Sequence, residues 1–162
     1  MKEKIKTLEE LQQIIADLKE NGHSIIHCHG VFDLLHIGHI KHFCEAKSMG
    51  DVLVVTITPD EFVNKGPNRP AFTTNHRLEA LASLESIDFV APNIWPTAVE
   101  TIKCLQPNIY CKGPDYKNHS DDITEKINDE AAAVRSVGGI IRYTEDITSS
   151  SSGLLNKFGN VY

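Results

Sequence analysis

The stretch Ser24-Ile25-Ile26-His27-Cys28-His29 leads directly into Gly30-Val31-Phe32-Asp33, and His36-Ile37-Gly38-His39 follows two residues later. The first, apolar run is typical of a buried strand, whereas residues 40–49 contain no Pro or Gly that would end a helix. A buried strand followed by a glycine-bearing turn and a helix is a building unit of parallel α/β sheets. This stretch therefore predicts an α/β fold.

The turn between this strand and helix has the features of an anion-binding site. Backbone N–H groups and the positive end of a helix attract anions, and phosphate groups bind well there. His36 and His39 add ring nitrogens that can donate hydrogen bonds, each carrying at most one positive charge. A pair of histidines three residues apart also occurs on ordinary solvated helices, so the whole string from Gly30 to His39 carries the prediction.

Apolar runs and helical patterns alternate along the rest of the chain. Thr7 and Glu10 form a capping-box pattern that predicts a leading helix over residues 7–22, ended by Asn21-Gly22. We predict one domain of residues 1–162, with an α/β, three-layer, doubly wound (Rossmann-like) five-stranded parallel sheet. The predicted strands are residues 24–29, 52–57, 88–91, 108–111 and 140–143, and the later helices are 74–84, 97–105, 123–137 and a short one at 151–158.

Two segments directly follow predicted strands and should meet at one edge of the sheet. They are Gly30 to His39 and Lys112 to Asp115. Ligands of open α/β sheets bind beyond the carboxyl ends of the strands, so we expect a common site there. The segment 65–70 is rich in Gly and Pro and predicts a loop, and residues 116–122 predict a second one.

Composition narrows the classes of protein. The chain has 162 residues, 41% of them apolar, which suits one compact core. It contains no run of eighteen apolar residues, so we expect no membrane span and a cytoplasmic location. The four cysteines form no CxxC pair, and we expect buried free thiols. A net charge of -6 disfavours nucleic acid as a partner.

The motifs taken together resemble the nucleotidyltransferase superfamily that includes the cytidylyltransferases. The chain is most similar to the adenylyltransferase domain of bacterial ADP-heptose synthases. Over a shorter span it is similar to glycerol-3-phosphate cytidylyltransferases, although these carry an arginine where Tyr143 stands. The matching segments are the leading helix, Gly30 to His39, residues 50–54, Lys65-Gly66 with Arg69-Pro70, Arg77, Lys112 to Tyr116 and Glu145 to Ser150.

The resemblance implies a set of site residues. His36 and His39 would bind the triphosphate and stabilise the transition state, and Lys65 would steady phosphates of both reactants. Asp33 would brace the histidine loop instead of reacting. The implied nucleotide-binding residues are Gly30, Val31, Phe32, Asp33, Gly38, Arg77, Lys112, Gly113, Asp115, Glu145, Ile147, Thr148, Ser149 and Ser150.

The resemblance also implies a reaction and partners. A nucleotidyl group would pass from a nucleoside triphosphate, with Mg²⁺, to a small phosphorylated sugar or polyol such as heptose 1-phosphate, releasing pyrophosphate. We favour ATP over CTP. A homodimer is expected, as is a sugar kinase that is either fused to this domain in a longer chain or encoded separately.

Alternatives from other classes stay open. One is a CTP-dependent enzyme of the glycerol-3-phosphate type, and another is a nucleotide-binding regulator without activity. A third is a metal-binding module, because His27, His29, His36, His39 and His42 cluster in the sequence. Neither cysteines nor carboxylates stand at ligand spacing near them, so we predict no metal ligands. The residues 36–39 also spell the HIGH tetrapeptide of class I aminoacyl-tRNA synthetases, but the chain is short and acidic for such an enzyme.

Overall fold

A computed structural model of the chain describes residues 2–114 and 126–145, with only the backbone of residues 126–127. It contains a five-stranded sheet with the order β3-β2-β1-β4-β5, and every pairing is parallel. The predicted doubly wound parallel sheet is confirmed. The strands are β1 (Ile25–Gly30), β2 (Val52–Ile57), β3 (Phe89–Pro92), β4 (Ile109–Lys112) and β5 (Ile140–Tyr143).

Five α-helices connect or precede the described strands. They are α1 (Leu8–Glu20), α2 (Ile37–Ser48), α3 (Thr74–Ala82), α4 (Val99–Leu105) and α5 (Lys126–Ser136). Short 3-10 turns occur at Lys2–Lys4 and Asp60–Phe62. The predicted helix at 151–158, the loop 116–122 and residues 123–125 of the predicted fifth helix lie outside the described residues.

The leading helix has the predicted ends. The Thr7 hydroxyl accepts from the Glu10 N–H at 3.1 Å, and the Thr7 N–H donates to the Glu10 carboxylate at 2.7 Å. At the other end Asn21 is the C-cap, and Gly22 adopts φ 85, a conformation that favours glycine.

The histidines lie at the start of the second helix, as the sequence predicted. The helix begins at Ile37, because His36 is its N-cap and the ring Nδ1 accepts from the Gly38 N–H at 3.1 Å. Histidine is not among the residues usually preferred at this position, so the sequence pattern did not indicate it. The two histidines of the pair thus occupy the N-cap and the third helical position.

Helices cover both faces of the sheet. Alternate residues of one strand point to opposite sides, so Ile26 and Cys28 of β1 pack with Phe43 of α2 and Leu81 of α3. Ile25, in contrast, belongs to the cluster on the other face, with the leucines and isoleucine of α1 and with Leu105 of α4. These clusters form the two halves of a three-layer core. Full burial of each large aliphatic side chain contributes roughly 1.5–3 kcal/mol to folding.

The prediction of buried thiols holds for two of the four cysteines. Cys28 and Cys111 are buried, Cys104 is half-buried and Cys44 is exposed, and all four are free. The prediction was wrong for Cys44 because it lies on the solvent side of α2.

Within the described ranges, none of the helices has the length and apolar character needed to cross a bilayer.

The sheet places the functional segments at one crevice. β1 pairs with β2 on one side and β4 on the other, so the strand order reverses there. Gly30 ends β1 and Lys112 ends β4, so both lie at the carboxyl edge where such sheets bind ligands.

Candidate active site

His36 and His39 form a stacked pair at the start of α2. Their ring centroids are 3.8 Å apart, with 26° between the ring planes. Because Nδ1 of His36 accepts from Gly38, the proton of the neutral ring lies on Nε2. His36 Nε2 and His39 Nδ1 are both buried, and neither has a hydrogen-bond partner within the described part of the chain. Buried polar nitrogens are normally paired, so this pair is suited to a polar ligand.

The surroundings of the pair keep both rings uncharged. Burial lowers the pKa of His36. It also lowers the pKa of His39 to about 4, helped by the charges of His36, His42 and Lys65, while a hydrogen bond with the Leu34 backbone acts in the opposite direction. Both histidines are therefore neutral near pH 7. The phosphates of a bound anion would favour the charged form and raise these pKa values.

Phe32 supports the histidine pair from behind. Its ring meets the His39 ring edge-on, with centroids 5.3 Å apart, and contacts the Phe43 ring at 5.0 Å. The Phe32 backbone adopts φ 48, and a Cβ on Gly30 would lie 2.9 Å from the Phe32 ring. Glycine at position 30 thus leaves the space that Phe32 needs to pack under His39.

Asp33 ties the histidine loop to the loop that carries Lys65. Its carboxylate accepts from Arg69 Nε at 2.8 Å, from the Ala71 N–H at 2.9 Å and from the Phe72 N–H at 3.0 Å. Burial alone would raise the pKa of Asp33, but the donors from Phe72, Ala71 and Arg69 outweigh it and lower the pKa. The contacts match the bracing position expected for Asp33.

The loop 65–70 brings two cations to the histidines. Lys65 is exposed, but it lies close enough to His39 for its charge to lower the pKa of that ring. Partial burial lowers the pKa of Lys65, Arg69 lowers it further, and Asp33 acts against both. Arg69 is largely buried, and its Nη2 has no hydrogen-bond partner among the described residues.

Arg69 is a candidate site residue that the sequence analysis did not select. It was noted only as part of a matching segment, because Arg69-Pro70 read as a loop. The available signal was its spacing of four residues from Lys65 within one glycine-bearing loop. The structure brings four cationic or imidazole groups to the start of α2, namely His36, His39, Lys65 and Arg69.

Arg77 donates all of its hydrogen bonds to other groups of the protein. A guanidinium has five N–H donors, and all five of Arg77 are engaged, by the carbonyls of Phe72, Val31 and Thr58, the Asp60 carboxylate and the Thr74 hydroxyl. Arg77 is 1% exposed. It holds the loops after β1 and β2 together and has no N–H left to donate to a ligand in this arrangement.

On the β4 side of the crevice the cation is already paired with a carboxylate. Lys112 is buried and pairs with Glu130 at 3.0 Å, and its ammonium lies 5.5 Å from the Tyr110 ring centre. A Cβ at Gly113 would meet open space, so a side chain would fit at this position.

Two histidines of β1, His27 and His29, lie close to the Thr56 hydroxyl of β2. His27 Nε2 and His29 Nδ1 both lie 2.8 Å from the Thr56 hydroxyl, so the two rings lie on the same face of the strand. Burial, with Lys112 nearby, lowers the pKa of His27 to about 3 and that of His29 well below its usual value. These rings are uncharged parts of the sheet. Thr56 was missed by the sequence analysis because it stands within an apolar strand.

The last group of predicted site residues lies mostly outside the part of the chain that the structure describes. Glu145 follows β5, and its N–H donates to both oxygens of Glu45 on α2, at 3.1 Å each. The predicted residues Asp115, Ile147, Thr148, Ser149 and Ser150 lie outside the described residues.

A cavity of about 370 Å³ adjoins the site and has Asp33 and Arg77 in its lining. It is lined mainly by apolar side chains, among them Phe32, Leu35 and Phe72. Such a lining does not suit phosphate groups, so the anion site is better placed at the histidine pair.

A parallel doubly wound sheet with a histidine and cation cluster at its switch point is an α/β domain whose crevice suits phosphate groups. The chain belongs to the cytidylyltransferase-like family, which matches it over residues 27–155. That family is one of nucleotidyltransferases, as the sequence motifs predicted.

Relatives of this chain are bifunctional proteins called HldE. The chain is 40% identical over 137 residues to the one from Aliarcobacter butzleri, which covers 83% of this chain and 29% of the relative. It is 42% identical over 118 residues to the one from Sulfurimonas denitrificans, covering 72% of this chain and 25% of the relative. The chain thus spans about a quarter of the length of these relatives.

Solved structures share the fold. A lipopolysaccharide core biosynthesis protein from Thermoplasma volcanium superposes with a TM-score of 0.62 at 24% identity, covering 80% of this chain and all of that one. A pantoate-beta-alanine ligase from Francisella tularensis superposes with a TM-score of 0.58 at 18% identity, covering 92% of this chain and 69% of the ligase.

Proposed function

We propose that this domain transfers an adenylyl group from ATP to the phosphate of a sugar 1-phosphate, of which heptose 1-phosphate is the first candidate. The observation that carries the proposal is the set of buried nitrogens on His36, His39 and Arg69, beside the Lys65 ammonium, that have no hydrogen-bond partner among residues 2–114 and 126–145. They converge at the helix start where phosphates bind best. The similarity to the HldE proteins supports the choice of substrates.

In the proposed reaction the protein aligns two anions and needs no nucleophile of its own. A phosphate oxygen of the sugar attacks the α-phosphorus of ATP, forming a new P–O bond. The bond from the α-phosphorus to the bridging oxygen breaks, and pyrophosphate leaves with that electron pair. Charge moves onto the phosphoryl and leaving oxygens, where preorganised donors stabilise the transition state.

The residues divide this work by position. His36 Nε2–H donates to the phosphates, and His39 gains a proton as the triphosphate approaches and then donates as well. Lys65 contacts phosphates of both reactants, and Arg69 donates through Nη2 while Asp33 fixes its orientation. Arg77 supports the site through the protein and does not contact the nucleotide.

The β4 side would hold the rest of the nucleotide. Lys112 and Gly113 line that side of the crevice, and we assign the base and ribose to it. Asp115, Glu145 and Ile147 are proposed neighbours of the nucleotide. Thr148, Ser149 and Ser150 are proposed donors to the β- and γ-phosphates.

The donor set indicates how Mg²⁺ would be held. The clustered side chains are cations and imidazoles, and the carboxylate among them, Asp33, already accepts three hydrogen bonds. Mg²⁺ prefers oxygen ligands and keeps several waters, so it would arrive on the triphosphate and be held by phosphate oxygens. When bound, the ion neutralises part of the charge on the leaving pyrophosphate.

The test is a screen of pyrophosphate release. ATP and CTP are each combined with heptose 1-phosphate, glycerol 3-phosphate and other sugar phosphates, with Mg²⁺ present. Release with ATP and a sugar 1-phosphate is expected. Release only with CTP and glycerol 3-phosphate would replace the proposal by the cytidylyltransferase alternative, and tight nucleotide binding with no release from any pair would indicate a regulator.

Partners follow from the same proposal. The acceptor must be phosphorylated first, so we propose a sugar kinase, fused or separate, as the enzyme that supplies it; the relatives are called bifunctional. We also propose a homodimer, to be tested by light scattering after size exclusion. Because the proposed reaction consumes ATP and a sugar phosphate, we also propose a cytoplasmic location.

A further inference from the structure

A second cluster of reactive side chains lies beneath the proposed active site. The ligand-capable atoms of Cys28, His42 and Cys111 lie within 4.8 Å of one another, and all three residues are buried. None of them belongs to the proposed phosphate site. Two thiols and an imidazole are the ligand types that zinc takes in proteins.

The fold, and not sequence spacing, assembles this cluster. β1 and β4 pair in register from Ile26 with Ile109 to His27 with Tyr110. The next pair in that register is Cys28 with Cys111, so the two thiols stand side by side on neighbouring strands. His42 reaches them from α2, which packs over this face of the sheet.

The imidazole is oriented as in many metal sites. His42 Nδ1 lies 2.9 Å from the Thr144 hydroxyl, and such a contact on one ring nitrogen fixes the ring and directs the other toward a metal. Here Nε2 would be the ligand. Met49 adds a thioether, with its sulfur 3.9 Å from Cys111 Sγ. Thioether sulfur is a soft ligand and could take the fourth position.

We propose that Cys28, His42 and Cys111 bind one thiophilic metal ion, with Zn²⁺ as the ion that fits best. Two thiolates balance the charge of one Zn²⁺, and the two thiol protons pass to solvent. A tetrahedral ion with Zn–S of about 2.3 Å and Zn–N of about 2.0 Å needs ligand atoms roughly 3.5–3.8 Å apart. The existing separations, up to 4.8 Å, would close by about 1.3 Å at most.

The bound ion would stabilise the architecture around the phosphate site. It would join β1, β4 and α2, and through Thr144 the segment after β5. His42 lies one helical turn after His39. The ion would thus hold in place the helix that presents the histidine pair, without contacting either reactant.

The test begins with metal content. Untagged protein, purified with a non-thiol reductant, is reconstituted with a small excess of Zn²⁺, desalted and analysed by mass spectrometry of metals. About one ion per chain is expected for the parent. Cys28→Ala and Cys111→Ala should each lose more than about tenfold in occupancy. Cys44→Ala is the matched control, because Cys44 is an exposed thiol on α2, and it should retain the ion.

Two further measurements identify the ligands. Co²⁺ in place of Zn²⁺ should give thiolate-to-cobalt absorption in the near ultraviolet for the parent, and not for the double variant Cys28→Ala/Cys111→Ala. Zn²⁺ should raise the melting temperature of metal-free parent protein and of Cys44→Ala, but not that of the double variant. Melting of the variants without metal shows directly whether they fold.

Two outcomes would overturn the proposal. One is a parent protein that stays metal-free after reconstitution, with no change in melting temperature, in which case the two thiols are core side chains. The other is full metal content in the folded double variant, which would place the ion elsewhere, for instance on the stacked histidines. Neither outcome depends on nucleotidyl transfer, so the proposed function is tested separately.

Discussion

Two arginines eight residues apart perform opposite tasks in this domain. Arg77 directs all five N–H donors to protein acceptors and is 1% exposed, whereas Arg69 binds Asp33 and leaves Nη2 without a protein partner among the described residues. The same side chain type therefore acts as a structural brace in one place and as an available donor in the other. Both side chains carry the same charge, so the charge does not distinguish them. The candidate ligand-binding arginine is distinguished by an N–H group that is not used within the described part of the protein.

The largest expected effect concerns the brace. Arg77→Met keeps most of the volume but leaves the carbonyls of Val31, Thr58 and Phe72 without their donor. Each unsatisfied buried acceptor costs about 1–3 kcal/mol, so we expect unfolding in urea to show a loss of roughly 3–5 kcal/mol. Arg69→Met is the matched control and should lose less, because Asp33 keeps two backbone donors. Equal losses in the two variants would remove the distinction.

The next effect concerns turnover. His39→Ala removes a nitrogen that faces the proposed triphosphate, and the fold should persist. We expect the rate of pyrophosphate release to fall by roughly 10²–10³, the effect of losing one preorganised donor. His23→Ala, at an exposed histidine after α1, is the control and should be silent. A melted domain with His39→Ala would instead show that His39 is a core residue.

A smaller effect is expected at the loop cations. Lys65→Ala should lower kcat and raise KM for the acceptor together, by about tenfold or more in kcat/KM, because one ammonium would contact phosphates of both reactants. Lys41→Ala, an exposed lysine of α2, should change neither constant. If Lys65→Ala left kcat and KM unchanged while Arg69→Met lowered kcat/KM, Arg69 would be the cation that contacts the phosphates. Steady-state kinetics over both substrates distinguish these results.

The smallest effect is a pH dependence of nucleotide binding. His39 has a pKa near 4 in the free protein, and bound phosphates should raise it. Between pH 4 and the raised value the complex then holds more protons than the free protein, so affinity should increase as pH falls from 7 to 5. Calorimetry in buffers of different ionisation enthalpy measures this proton uptake. The uptake should vanish in His39→Ala.

Stability should change with pH in the opposite sense. His27, His29 and His39 have lowered pKa values in the folded state, so between pH 4 and pH 6.5 the unfolded chain binds more protons. Their contribution is present above pH 6.5 and is lost as pH falls through that window. Thermal unfolding of the nucleotide-free protein should therefore show a lower melting temperature at pH 5 than at pH 7. A flat profile would contradict the lowered values.

The sequence predicted the sheet well because its signals are local. β2 is a run of six buried residues, and the capping box of α1 is complete within four residues. It also predicted the position of the histidine pair, because the string from Gly30 to His39 is continuous. These features depend on neighbours along the chain, which a single sequence displays.

The sequence did not predict features that depend on tertiary contacts. Whether an arginine is saturated, like Arg77, or available, like Arg69, depends on carbonyls and carboxylates from other loops. The pairing of Cys28 with Cys111 depends on the register of β1 with β4, and the sequence holds them far apart. The capping role of His36 was likewise not predicted, because it depends on the orientation of the His36 ring toward the Gly38 N–H.

The short segment before α1 has a consequence for how the molecule meets other copies of itself. Ile5 bridges to Val90 of the edge strand β3, the Lys6 N–H donates to the Val90 carbonyl at 2.9 Å, and the Lys4 ammonium donates to the carbonyls of Leu84 and Ile87. An uncovered edge strand is a template for pairing with a foreign strand. Residues 4–6 cover part of this edge and place a lysine beside it. They therefore hinder pairing of β3 with a strand of another molecule, which would lead to aggregation.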